Sequence, residues 1–212
     1  MREDVAAASF TVDDFRARAM QASQAAGGDI VGGDHVLNPS LSHLILREGL
    51  RDAAVLIAVV DRPEGVSVIL TKRTDRLRNH SGQIAFPGGS IDSSDASPEW
   101  AALRETEEEI GLDPSLVEIV GRLPDYVTGS GYRIAPVLGV VQPGFLLTIN
   151  PDEVDDAFEV PLAFLMEPAN HLRDSRIWNE QERFFYTMPH GERHIWGITA
   201  GIIRTLYERL YA

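Results

Sequence analysis

Residues Gly88 to Leu112 read GGSIDSSDASPEWAALRETEEEIGL, and this stretch decides the fold. A glycine pair opens it, an acidic loop follows, and the rest carries helix punctuation at both ends. Ser97 is placed to cap the amino end, Pro98 suits the first helical position, and Gly111 suits the left-handed residue that closes a helix. At about 100° per residue, Glu105, Glu108 and Glu109 fall at i, i+3 and i+4 and share one face. The opposite face collects Trp100, Leu103, Thr106 and Ile110, the stripe a helix turns to a core. The acids are therefore expected to look outward into a site, with Ala101 and Ala102 beside them leaving room for a ligand. Like charges this close are mutually destabilising unless a cation sits among them. Oxygen-only ligands suit hard divalent ions, so Mg²⁺ or Mn²⁺ is the expected cofactor. A solvated acidic surface is the plainer reading of a charge run, but glycines, Arg104 and acids at fixed spacing argue for a site.

This segment resembles the Nudix box, G-x5-E-x7-R-E-U-x-E-E-x-G-U, in which U is a bulky apolar residue. Arg104 to Leu112, RETEEEIGL, matches its second half, departing only by Thr106 at an apolar position. In the first half the acid counted from Gly89 is Asp95 rather than Glu, and one extra residue separates it from Arg104. That leaves Asp95 out of the candidate ligands. Upstream, Leu70-Thr71-Lys72-Arg73-Thr74 and Leu77-Arg78-Asn79-His80-Ser81-Gly82-Gln83-Ile84-Ala85-Phe86-Pro87-Gly88-Gly89 resemble the signature of the coenzyme A diphosphatase branch. Asn150 to Val154 and His194 to Ala200 resemble it too, so the likeness runs from about Ala53 to the carboxyl terminus.

The resemblance implies an α/β class fold, the Nudix α/β/α sandwich around a mixed sheet, here with an N-terminal helical extension. It also implies metal-dependent hydrolysis of the diphosphate of coenzyme A or its derivatives, giving 4′-phosphopantetheine and adenosine 3′,5′-bisphosphate. Glu105 and Glu109 are the expected metal ligands, and Glu108 is a further ligand or the base that takes the proton from water. Glu153 and Glu159 stand as alternative bases. Arg104 is expected to pair with a carboxylate and fix its orientation. Arg73, Arg78 and His80 are expected to meet substrate phosphates, and Gly88 and Gly89 to let the backbone approach them closely. Two other functions stay open: hydrolysis of another diphosphate such as ADP-ribose or a dinucleotide, and a non-catalytic nucleotide-binding regulatory domain.

The chain has 212 residues, enough for one domain with a substantial core. Its 19 Lys plus Arg against 32 Asp plus Glu give a net charge of −13, which argues against a binder of nucleic acid or anionic membrane. With no cysteine it has no disulfide, thiol nucleophile or thiolate metal site. His35, His43, His171, His190 and His194 lack zinc-site spacing, and Ser81-Gly82 lacks a serine-hydrolase elbow. The longest strongly apolar run, Ala53 to Val60, is too short to cross a bilayer, so a cytoplasmic protein acting on a small molecule is expected, with a homodimer left open.

Residues 1–38 read as a helical extension and linker and 39–212 as the hydrolase domain. Thr11 to Ala26 is an expected helix with Thr11 as cap and Phe15, Ala19 and Ala22 on one stripe, and Gly27 to Pro39 is an expected linker. Expected strands are Ala53–Val60 and Val66–Thr71, joined by a turn, then Val117–Val120, Ile134–Val141, Arg183–Met188 and Arg193–Trp196. Helices are expected at Pro161–Met166 and Gly197–Tyr211.

Overall fold

The computed structural model describes residues 10–25, 32–45, 47–76, 82–178 and 180–212. In chain order the elements are α1 (Val12–Ala25), β1 (Gly32–Gly33), β2 (Arg51–Val60), β3 (Ser67–Arg73), β4 (Ile84–Ala85), β5 (Gly88–Ser90) and α2 (Pro98–Ile110). These are followed by β6 (Val117–Arg122), β7 (Tyr126–Val127), β8 (Tyr132–Val141), β9 (Val154–Pro161), the single turn α3 (Leu162–Leu165), β10 (Leu172–Trp178), β11 (Gln181–His190), β12 (Arg193–Trp196) and α4 (Gly197–Leu210).

The main sheet runs β1-β7-β8-β2-β3-β4, with β5 also on β2, β6 on β8 and β9 on β3. It is mixed: β2 lies parallel to β8 over its whole length and antiparallel to β3 and β5. A strand covered on both faces reads as an unbroken apolar run, and β2 is one. Ala54, Leu56, Ala58 and Val60 point into the core beneath α2, whereas Ala53, Ile57 and Val59 point into the opposite core with α1 and α4. A second sheet, β10-β11-β12, joins α4 on that opposite side, where Met188, Ile195 and Leu206 are fully buried. This is the expected sandwich.

α1 starts as expected, the backbone N–H of Asp14 donating to the Thr11 hydroxyl at 3.1 Å, and Phe15 and Ala19 are fully buried. The stretch expected as linker differs for its described part, residues 32–39. β1 pairs in parallel with β7, and the half-buried Asp34 carboxylate accepts from the Tyr126 hydroxyl at 2.9 Å and the Gly129 N–H at 2.7 Å. Asn38 is buried. Its amide N–H donates to the Phe184 carbonyl and its Oδ1 accepts from the Phe184 N–H, both at 2.9 Å, so one side chain occupies the edge of β11 that β12 leaves uncovered. No helix among the described residues is long and apolar enough to cross a membrane.

Candidate active site

α2 carries the punctuation expected of it. Ser97 is extended and its hydroxyl accepts from the Trp100 N–H, Pro98 opens the helix, and Gly111 closes it at φ 68°. Its terminal carbonyls are met from a later segment: the N–H groups of Thr148 and Asn150 donate to the carbonyls of Ile110 and Glu109, each at 2.8 Å. These bonds satisfy carbonyls that a helix end leaves without partners and bring Glu153 toward the helix. The Thr74 N–H holds the same segment through the Glu153 carbonyl at 2.9 Å.

The buried face of α2 is rotated from the expected one. Trp100 is 61% exposed, whereas Ala101 and Ala102 are fully buried against β2 together with Thr106 and Ile110. The alanines leave room for the sheet rather than for a ligand, and allow the helix to sit close to it. Thr106 is tolerated there because its hydroxyl returns to the Ala102 carbonyl at 2.6 Å. The rotation also separates the acids. Glu107 and Glu108 are exposed, Glu105 is half-buried, and Glu109 is turned inward at 2% exposure.

Glu109 sits where β3 and β5 meet the helix. It accepts from the Gly88 backbone N–H at 3.1 Å and faces the Arg73 guanidinium at 3.4 Å. Burial pushes its carboxyl up to about 7; the Gly88 N–H and Arg73 oppose that, and the negative charges of Glu153 and Glu105 add to it. Burial likewise raises Glu105, with Arg104 working against it and Glu108 and Glu153 reinforcing it. Glu153 thus acts electrostatically on both helix acids, and its carboxylate accepts from the Asn150 side chain at 3.1 Å.

The glycines are required by space. At Gly88, φ is +148° and a Cβ would overlap the carbonyl oxygen of Ala54. At Gly89 a Cβ would overlap the Glu105 carboxylate. The glycine pair is therefore the floor of the acidic site, and its bareness lets Glu105 lie against the strand.

Arg104 links the acids. Its Nε and Nη2 donate to the two oxygens of Asp95 at 3.0 and 2.9 Å, its Nη1 to Glu105 at 2.9 Å and Glu108 at 3.2 Å, and its Nη2 also to the Ser90 carbonyl at 3.2 Å. These carboxylates hold the guanidinium charged far above the usual arginine range, and Arg104 draws the Asp95 carboxyl below the usual range. Sequence reasoning set Asp95 aside, yet it is the main anchor of Arg104. The cause is a tight turn closed between Asp92 and Asp95, with the Asp95 N–H on the Asp92 carbonyl at 3.0 Å and the Asp92 N–H on the Asp95 carboxylate at 2.8 Å. That turn presents the Asp95 side chain to the helix whatever the loop length.

Of the expected site residues, the fold brings together Arg73, Gly88, Gly89, Arg104, Glu105, Glu108, Glu109 and Glu153. Glu159 is elsewhere: it is bound by Arg62 through both carboxylate oxygens and by the Ser67 hydroxyl, and Arg62 pulls its carboxyl below the usual range, which suits an ion pair rather than a base. Arg78 and His80 lie outside the described residues. Among the described residues no three acidic or histidine side chains converge, as they stand, on a metal position. Arg104 draws Glu105 and Glu108 to itself, and Gly88 with Arg73 holds Glu109. The donor chemistry nevertheless fits a hard divalent ion, because several carboxylates are crowded into a partly buried space where their mutual repulsion calls for a cation.

A family model for the NUDIX domain matches residues 50–184. The chain belongs to the Nudix hydrolase family. Nudix hydrolase NudL of Escherichia coli strain K12, itself described as uncharacterized, is 39% identical over 207 residues, covering 93% of this chain and 94% of that one. The same holds for NudL of Shigella boydii serotype 4, also 39% identical over 207 residues. The likeness therefore reaches well into the segment before Ala53, further than the motifs alone suggest. Among solved structures, the NUDIX domain of Shewanella oneidensis NrtR, crystallised with ADP ribose, superposes with a TM-score of 0.50 at 18% identity, over 84% of this chain and 97% of that one. This match concerns the fold alone. Membership makes the present Nudix protein a hydrolase of phosphoanhydride bonds.

Proposed function

We propose that the chain hydrolyses the diphosphate of coenzyme A or its derivatives to 4′-phosphopantetheine and adenosine 3′,5′-bisphosphate, with Mg²⁺ or Mn²⁺ held by Glu105 and Glu109. The observation that carries the reaction class is the gathering of Glu105, Glu109 and Glu153 against the bare floor of Gly88 and Gly89. When bound, the cation supplies neutralisation of charge on the phosphoryl oxygens and activation of water. Arg104, anchored by Asp95, sets the position of Glu105. Loading requires Glu105 to turn from Arg104, and Asp95 keeps the guanidinium paired when it does. Arg73, 28% exposed beside Glu109, is placed to meet a substrate phosphate at the mouth of the site.

For the proton, Glu153 is the better placed carboxylate. Its carboxylate accepts from the neutral Asn150 amide at 3.1 Å, whereas the Glu108 side chain is 55% exposed and paired with Arg104. Glu108 then serves as an outer ligand. The substrate reading rests on the resemblance of Leu70 to Gly89 to the coenzyme A diphosphatase signature. A second reading, hydrolysis of another diphosphate such as ADP-ribose, is the alternative that membership of the Nudix family leaves open. A panel of coenzyme A, acetyl-coenzyme A, ADP-ribose and a dinucleoside polyphosphate with Mg²⁺ or Mn²⁺ decides between them. Release of 4′-phosphopantetheine as the fastest reaction supports the proposal, and rapid ADP-ribose cleavage with inert coenzyme A overturns it.

A further inference from the structure

Among the described residues, the small sheet ends in a strand whose outer side is open. β10 lies at the edge of the order β10-β11-β12, and every residue of it except the half-buried Ser175 is exposed. Leu172, Ile177 and Trp178 are 49%, 68% and 65% exposed. A long edge that shows large apolar side chains is a template for pairing with another strand. Its hydrogen-bonding phase is known from its neighbour. Phe184, opposite Ser175, turns its N–H and C=O away from β10 to Asn38. Ser175 and Phe184 are therefore a non-hydrogen-bonded pair, and Arg173, Ser175 and Ile177 direct their own backbone groups to the open edge. There the Ser175 N–H donates to the carboxylate of its neighbour Asp174 at 2.7 Å, a substitute for a missing strand.

The order of residues along β10 is self-complementary. With a copy laid antiparallel about Ser175, Arg173 faces Ile177, Asp174 faces Arg176 and Leu172 faces Trp178, each pair occurring twice by symmetry. The outward backbone groups of Arg173, Ser175 and Ile177 become the hydrogen-bonded positions. Asp174 and Arg176 become the close pairs, where cross-strand charges interact best. Leu172, Asp174, Arg176 and Trp178 share one face of the strand, so two opposite-charge pairs are flanked by two apolar pairs. Sliding by two residues sets Arg176 against its own copy in one direction and Asp174 against its own copy in the other. The register about Ser175 is thus selected by charge as well as by fit. We propose that β10 is the pairing edge of a two-fold dimer of this chain, which joins the two small sheets into one.

Sedimentation velocity of the full chain over a wide concentration series tests this. The parent should form a dimer. Asp174→Arg and Arg176→Asp should each weaken self-association about tenfold or more, since each sets two like-charge pairs across the axis. An equimolar mixture of the two variants should dimerise as well as the parent, because each supplies the charges the other lacks, and this recovery shows that both fold. Ser175→Pro removes the N–H at the axis while sparing the β10–β11 ladder, and should give a monomer with a parental circular dichroism spectrum. A parent that stays monomeric at every concentration overturns the proposal. So does a dimer whose strength the charge variants do not change, or one the mixture fails to restore.

Discussion

Gly88 and Gly89 are adjacent, yet alanine at the two positions should have opposite consequences. At Gly89 the three nearest atoms to an added Cβ all belong to the Glu105 carboxylate, one of them at 2.8 Å where ordinary contact begins at 3.4 Å. The obstacle is the end of a flexible side chain, and Gly89 has no left-handed backbone requirement, so β5 stays paired and Glu105 moves. A displacement of about 1 Å in a reacting group costs on the order of 100-fold in rate. Gly88 is different, because its φ is +148° and a Cβ would meet the Ala54 carbonyl oxygen and the Val55 Cα, which are backbone and cannot yield. The conformation alone costs about 1–3 kcal/mol, and forcing the strands apart brings the total to about 3 kcal/mol. At 2–4 °C per kcal/mol for a chain of this size, the unfolding midpoint should fall by about 6–12 °C. Calorimetry and steady-state turnover on both variants check this: Gly89→Ala should keep a near-parental midpoint and lose about 100-fold in kcat. A Gly89→Ala enzyme within a few-fold of the parent would refute the claim that the bare glycine makes room for a functional carboxylate.

Other outcomes follow from the same geometry. Asp95→Asn leaves Arg104 with half its anchor, so kcat should fall about 10–100-fold with KM little changed; a raised KM at constant kcat contradicts this positioning role. Arg62 lowers the Glu159 carboxyl, with Ser67 adding and burial opposing. A depressed folded value stabilises above the unfolded pKa of about 4.3 and is lost as pH falls through the folded value. The midpoint gap between the parent and Glu159→Gln should therefore be widest near neutrality and close in acid, and thermal melts at several pH values measure it. On α2, Ala102→Leu should destabilise by about 1–3 kcal/mol through overpacking, whereas Trp100→Gln should stay within about 0.5 kcal/mol because the indole is on the surface; urea titrations compare the two.

The central strands and flanking helices were legible because their patterns are enforced by burial. β2 is covered on both faces and reads as a continuous apolar run, and α1 carries its cap and stripe in plain view. The expected face of α2 differs because tryptophan carries far more apolar surface than alanine, yet close approach to β2 selects alanine, and Trp100 is left outside. β9 carries no strand signal in the sequence, since among the described residues it pairs only with β3 and it bears Asp155, Asp156 and Glu159 along it. β10 was invisible for a stronger reason: neither of its faces is buried, so no alternation is imposed on it. In the site, the helix acids and glycines were legible from spacing. The anchoring of Arg104 by Asp95 was not, because it depends on a turn whose closure is a three-dimensional fact.

The Mg²⁺-dependent turnover of Glu105→Gln and Glu109→Gln, on whichever diphosphate the parent cleaves fastest, tests whether these two carboxylates hold the cation. Gln keeps the shape of each side chain and removes the charge that would hold a cation. Glu109 is a buried acid, so its replacement relieves a desolvated charge and should not lower the unfolding midpoint of the metal-free chain. Both variants should fold and show kcat/KM lower by about a thousandfold or more. Folded variants that retain activity within a few-fold of the parent would contradict that role.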